Sequence, residues 1–512
     1  MAKKSSCFAK KHALCRSPFL LTLFFLLIIL RPSSAHALPE ELSMALEEQR
    51  YTLAIHILRS WAAVSDSPDD RAKALWMEAR IQALHMENTD EAAASLDRLL
   101  TAYPKSPLLG DARFEKAVLA MQSGRKEKAI QGFADFVTAF PDHPRRQSAG
   151  SFLRFLQGRQ TLPSTAREGI RVALSLDTSR IQISGSALTV TDMVTDAEVC
   201  KGSSLILDTD RSGRIRINGR PTGQPLSIRS PDGSFLLNGR RHRGRLQVHS
   251  TAGHLLLVNV LDLESYLKGV VPAEMPPSWP EEALKAQAVA ARTYALHHME
   301  KRKYEPYDVK SDTRSQVFST EREHPRSSAA VTATRGEVMV WAGTAAFTAF
   351  HADSGGHTEA ADALWGKDYP YLTPIMDFWT RETPHGYWKC SFSERELRQM
   401  VPELRDMGRI LDIRPEGTTP SGRVHLLVFR DSRQETTIPA GRFRTRVGPM
   451  NLKSTAFSIN HERGVFHFQG KGFGHGVGMS QWGARKMAEA GRDYRDILLF
   501  YYPHLHWAAM EE

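Results

Sequence analysis

The stretch GRQTLPSTAREG, beginning at Gly158, separates two hydrophobic periodicities that no single sheet or bundle can absorb. Before it, apolar residues recur at the spacing of amphipathic helices; beyond it they alternate, as half-buried strands require. A multidomain architecture is therefore expected: an all-α helical-repeat unit over residues 38–160, then an α+β unit over residues 161–512. The second unit should hold several antiparallel strands and one long alanine-rich helix.

The helical part repeats itself. TAYPKSPLLGDARF from Thr101 returns as TAFPDHPRRQSAGSF from Thr138, so that Tyr103, Pro104, Pro107 and Ala112 are answered by Phe140, Pro141, Pro144 and Ala149, 37 residues on. Each unit reads as two helices closed by an aromatic-Pro turn, a tetratricopeptide-like pattern slightly longer than the usual period of about 34 residues. Such units stack into a concave surface, suited to a protein partner in the cell envelope or to spacing the next domain.

Residues 1–37 carry a basic start (Lys3, Lys4, Lys10, Lys11, Arg16), the apolar run FLLTLFFLLIIL and then SSAHA, an Ala-x-Ala site at Ala35 and Ala37. This is the pattern of an export signal cleaved near Ala37, which places the mature chain in the periplasm or cell envelope. The run is shorter than the roughly 20 residues a membrane span needs. Removing six Lys and Arg with it lowers the formal charge from +10 to +4, so a nucleic-acid partner is not indicated. Cys200 and Cys390 remain, free to pair or to stay as thiols.

Within the second unit IRVALSL, RIQISGSALTV, SLILDTD, RIRING, SFLLNGR and GRLQVHSTAGHLLLVNVL read as strands separated by turns. A helix is expected from Trp279 to about Lys301, with Ser278 and Glu281 as a capping box and Pro280 in its first turn. Just before it, VVPAEMPP sets Glu274 between Pro272 and Pro276, after an apparent apolar strand. Prolines on both sides predict a stiff loop, and the apolar neighbours Val270, Val271, Met275 and Trp279 predict a raised pKa, as a general acid requires. The competing reading is a turn carboxylate serving a helix dipole. On the alanine-rich helix, Gln287 and Tyr294 share a face, whereas Arg292 points elsewhere, to a buried carboxylate or to substrate.

Two further segments carry chemistry. FHADSGGHTEAADALWG, from Phe350, offers Ser354, His357, Thr358 and Glu359 in a glycine-hinged loop as groove-lining hydrogen-bond partners. Zinc held by His351, His357 and Cys390 is an alternative there, and no metal is assigned. GKGFGHGVGMSQWGARKM, from Gly470, has glycine at every second position through Gly478, so an extended segment would be stripped on one face and allow a flat ligand or another main chain to approach closely. His475, Ser480, Gln481 and Trp482 supply donors and an aromatic plane suited to a sugar; core packing is the competing reading for Trp482.

These blocks, in order, resemble the stage II sporulation protein D family, also called amidase enhancer proteins, over about 340 residues from Ile170 to FYYPH near the C-terminus. The resemblance implies a lytic transglycosylase that cleaves peptidoglycan glycan strands, particularly peptide-stripped ones, between N-acetylmuramic acid and N-acetylglucosamine. It gives Glu274 as acid and then base; Gln287, Arg292, Tyr294, Ser354, His357, Thr358, Glu359, His475, Ser480, Gln481 and Trp482 are expected as substrate contacts from the residue reading above. It also allows a non-catalytic activator of a cell-wall amidase. A hydrolase pairing Glu274 with Asp353 or Glu359 is the third reading.

Overall fold

The computed structural model describes residues 39–47, 50–86, 88–143, 145–157, 161–162, 169–223 and 225–510. The expected export signal lies outside them.

Seven helices open the described chain: α1 Glu40–Glu47, α2 Tyr51–Val64, α3 Pro68–His85, α4 Thr89–Ala102, α5 Leu109–Gln122, α6 Lys126–Ala139 and α7 Arg146–Leu156. The starts of α4 and α6 are offset by the same interval as those of α5 and α7, which is the sequence repeat in space. Small and aromatic residues alternate at the contacts. Ala112, Leu96 and Leu99 fill one inter-helix layer, and Phe114, Phe133, Phe136 and Phe152 the next, with Phe133 and Phe152 stacked at 4.9 Å.

Beyond the linker the chain becomes a largely antiparallel sheet. Its long strands Ile170–Thr178, Arg180–Asp192 and Glu198–Thr209 curl with Arg245–Thr251 and His254–Leu261 around a core of Ile183, Val190, Leu207, Leu226, Ile228 and Val248. His254–Leu261 is buried from Leu255 onward and runs straight into helix α8, Leu263–Glu274, capped by Asp262. Helix α9, Glu281–Lys301, follows and passes through the central core, where its alanines let α8, the strand Glu337–Trp341 and the C-terminal helices pack closely. A third core belongs to residues 388–470, where the sheets Trp388–Ser393/Val465–Gly470/Phe457–Glu462 and Asp412–Thr418/Val424–Arg430/Glu435–Pro439 pack with helix Ala440–Val447. Cys200 and Cys390 are unpaired thiols on separate sheets.

Two local expectations are corrected. LKGVVPAE is helix, not strand and loop: Pro272 sits in the last turn of α8, near the C-terminal end. What ends the helix is Pro276, which disfavours helical geometry at the preceding residue, and Met275 is accordingly extended. The capping box at Ser278 does not form either. Pro280 is the N-cap of α9 without a side-chain bond, while Glu281 and Glu282 both grip Lys285 at 2.8 Å. The chain does hold a capping box, at Ser393 and Glu396.

Candidate active site

Glu274 is the last residue of α8, with its side chain partly buried. One carboxylate oxygen accepts the Val317 N–H at 2.7 Å, and the other accepts the Gln481 side-chain amide at 3.2 Å. Burial raises its pKa above the ordinary carboxylate value; the Val317 and Gln481 donors hold back part of that rise. The end of α8, where the helix dipole opposes negative charge, acts in the same sense as burial. The carboxylate is thus fixed by two donors yet disposed to keep its proton.

The partners come from distant segments. Gln481 opens the helix Gln481–Glu489, whose N-cap Ser480 accepts the Gly483 N–H at 3.2 Å. Gln481 also donates to Gln287 of α9 at 3.4 Å, so both expected glutamines stand beside Glu274. Val317 belongs to a loop pinned on α8: Ser319 N–H donates to Gly269 carbonyl, and Phe318 lies 5.2 Å from the Tyr266 ring. Sequence reading missed this loop, because its contribution is a backbone N–H and carries no residue signal.

Tyr294, two helical turns beyond Gln287, bonds Ser315 of that loop, and burial lifts its hydroxyl to about 12. It also lines a cleft of about 510 Å³ between α9 and the 388–470 module. Phe347, Phe350 and Trp365 line the cleft together with Arg423, His425, Arg442 and Arg444. His475 is in this wall, 5.3 Å from the Trp365 ring.

Other expected contacts lie elsewhere. Arg292 is 0% exposed and forks onto Glu264 of α8 at 2.7 and 2.8 Å, with the Val331 and Glu337 carbonyls as further acceptors; it holds a partly buried carboxylate and is itself closed off from substrate. Ser354 and Thr358 are buried in the loop's own bonding, Ser354 to Asp377 at 2.8 Å and Thr358 to Ile375 N–H at 2.7 Å. Glu359 touches the cleft, but its carboxylate is taken by Thr419 and Ser421 at 2.6 and 2.7 Å. His357 is half-buried with Nδ1 on Thr358 carbonyl, and Ser480 is buried as a cap. Trp482 packs 5.0 Å from Trp279 beneath the Arg485 guanidinium, a partly exposed stack outside that cleft. Asp353 is buried against Thr383 and Gly355 N–H, so neither it nor Glu359 stands ready as a second catalytic carboxylate. Among the described residues no cluster of three or more His, Cys, Asp or Glu side chains is placed to hold a metal.

The alternating glycines also do something other than expected. Gly472, Gly474, Gly476 and Gly478 all have positive φ, so the segment is a chain of turns and not an extended strand. A Cβ at Gly472 would strike Asp353 carbonyl, one at Gly474 His351, and one at Gly478 Ala349 carbonyl. The bare backbone accommodates another main chain, residues 349–355. Phe350–His351 pairs in parallel with Met479–Ser480, which sets Gln481 at the mouth of the site.

Comparison with known proteins agrees with this layout. Residues 251–341 match the stage II sporulation protein model, residues 73–106 a tetratricopeptide repeat, and residues 377–478 a domain of unknown function. Stage II sporulation protein D of Bacillus amyloliquefaciens is 31% identical over 273 residues, half of this chain and 76% of that protein. This chain belongs to the stage II sporulation protein D family. An uncharacterized protein of Brachyspira hyodysenteriae is 37% identical over 270 residues, 52% of this chain and 72% of its own length. The amidase enhancer of Bacillus subtilis is 30% identical over 286 residues, 46% of this chain, and the chain spans 39% of that protein. The stage II sporulation protein model covers α8 and α9 with Glu274, Gln287 and Tyr294, and also Val317; Gln481 is contributed from outside it.

Proposed function

We propose that this chain is a lytic transglycosylase acting on peptidoglycan glycan strands, with Glu274 as its single acid and base. The observation that carries this reading is the setting of Glu274: partly buried, oriented by Val317 N–H and Gln481, and with its pKa raised by burial. Membership of the sporulation protein D family and similarity to an amidase enhancer support a role in the cell wall.

In this mechanism the protonated Glu274 gives its proton to the oxygen linking N-acetylmuramic acid to N-acetylglucosamine. That C–O bond breaks, and positive charge develops at C1 of the muramic residue. The resulting carboxylate, stabilised by its two donors, takes the proton of the muramic 6-hydroxyl as that oxygen bonds C1. The products are a 1,6-anhydromuramic end and a new N-acetylglucosamine end, with no water consumed. One carboxylate suffices, in contrast to hydrolases that need a pair about 5–10 Å apart. Strands of this kind lie outside the cytoplasm, so the reading requires export, which the pattern of residues 1–37 supports.

The test is mass spectrometry of peptide-stripped strands digested with the full chain. Anhydromuramic products that vanish with Glu274→Gln support the proposal; reducing ends, or an unchanged yield, overturn it. The amidase-enhancer relative favours a second reading, an activator of a cell-wall amidase that binds glycan without cutting it. There Glu274→Gln would leave amidase stimulation intact and wild type would yield no anhydro product.

A further inference from the structure

The cleft beside Tyr294 is lined by more cationic than anionic side chains. Among its lining residues are four arginines and one acid, Glu359, whose carboxylate is already engaged by Thr419 and Ser421. Arg314 is matched by Asp312 at 2.6 Å. Arg423 is buried and spends its terminal nitrogens on the carbonyls of His357 and Ser354 and on Ser421. Among the described residues Arg444 donates only its Nε, to the Leu452 and Lys453 carbonyls at 3.0 Å. Arg442, exposed on the same helix, makes no ion pair among the described residues, whereas Arg446 lies 3.7 Å from Glu403. The helix AGRFRTRV contains no acidic residue.

Burial and the neighbouring Arg423 charge hold the Arg444 guanidinium down to about 10, so a bound anion would relieve both. Among the described residues the terminal nitrogens of both guanidinium groups are without a hydrogen-bond partner, and a single guanidinium fork matches the planar, bidentate geometry of a carboxylate. Trp365, which lines the same cleft, is 43% exposed, an aromatic face on which a sugar ring can lie.

We propose that Arg442 and Arg444 form a subsite for the carboxylate of an acidic sugar, and that this is the role of the segment matching a domain of unknown function. The inference rests on the glycan reading above. In peptidoglycan that carboxylate is the lactyl group of muramic acid, which is charged only where no stem peptide is amide-linked to it. Stem peptides also carry carboxylates, without the sugar, and the experiment separates the two sources.

Isothermal titration calorimetry on the full chain, in a Glu274→Gln background to prevent turnover, would compare four probes: a peptide-free tetrasaccharide with free lactyl carboxylates, its methyl ester, chitotetraose and free stem peptide. Binding of the free acid at least about tenfold tighter than the ester is expected, the preference shrinking as salt rises. Arg442→Gln and Arg444→Gln should each cut that preference severalfold and leave chitotetraose binding unchanged. Arg442 is exposed, so its variant reports even where Arg444→Gln impairs folding. Equal affinity for acid and ester, a preference retained in both variants, or free peptide binding as tightly as the saccharide would overturn the proposal. Because it is read by binding and the transglycosylase reading by products, either can fail alone.

Discussion

At the scale of single residues, the account turns on two carboxylates of one helix with opposite fates. Glu264, at the start of α8, is gripped by both arms of the Arg292 guanidinium, and Glu274, at its end, meets neutral donors, Val317 N–H and the Gln481 amide. A charged partner would favour ionisation; burial raises the Glu274 pKa and two neutral donors offset that rise in part. The sign of one perturbation follows. The Gln481 amide stabilises the charged form and so lowers the Glu274 pKa, and Gln481→Ala should raise it. A general acid must be protonated, so the falling limb of the pH–rate profile is expected to move to higher pH in Gln481→Ala. A limb that stays put or moves down would show that Gln481 does not act on the acid.

At the scale of elements, the glycine-rich segment carries the sharpest constraint. Gly478 has φ of 71° and its missing Cβ is the space occupied by Ala349 carbonyl. Gly478→Ala would add both backbone strain and a clash in a segment that sets Gln481, a cost on the order of 3 kcal/mol. The expected result is a lowered midpoint in thermal or urea unfolding, with loss of activity; a wild-type midpoint would contradict the close approach. The sequence did reveal that these glycines serve proximity, because side chains were missing at every second position. It could not reveal that the visitor is residues 349–355, since a contact across more than a hundred residues leaves no local pattern. The same limit explains Glu274: the prolines marked a break, but whether they end a helix or stiffen a loop depends on the turn before them. Arg442 and Arg444 were overlooked because R-x-R-x-R on a surface helix looks like any solvated face until a cleft is seen against it.

At the scale of the whole molecule, the helical repeats do not stand apart from the rest of the chain. Phe114, Arg80 and Arg145 form a groove with Leu499, Pro503 and His504, and Tyr51 of α2 meets Phe378 edge-on at 6.0 Å. His506 packs 5.1 Å from Phe152 of α7 and the strand Thr161–Leu162 pairs with Ala509 and Met510. Part of the repeats' surface is therefore used within the chain, which the repeat pattern alone left open. Burial lowers His506 to about 3, and neither ring nitrogen has a hydrogen-bond partner among the described residues. Its folded pKa is depressed, so the stability tied to its neutral form is complete above about pH 6.5 and lost as pH falls toward the folded value. Between pH 6.5 and 4 this weakens the junction by up to about 1 kcal/mol per pH unit. Amide protection at α7 and His506–Met510, taken relative to the intrinsic exchange rate at each pH, should therefore fall on acidification, and His506→Phe, which keeps the ring and removes the proton site, should flatten that dependence. An equally steep dependence in His506→Phe would place the acid sensitivity elsewhere.

The claim on which the rest depends is that one partly buried carboxylate cuts glycan without water. Digestion of peptide-stripped strands in water enriched in heavy oxygen measures this directly. The account requires anhydromuramic ends with no heavy oxygen incorporated, and their disappearance with Glu274→Gln. Reducing ends labelled with heavy oxygen, or anhydro ends formed undiminished by Glu274→Gln, would contradict it.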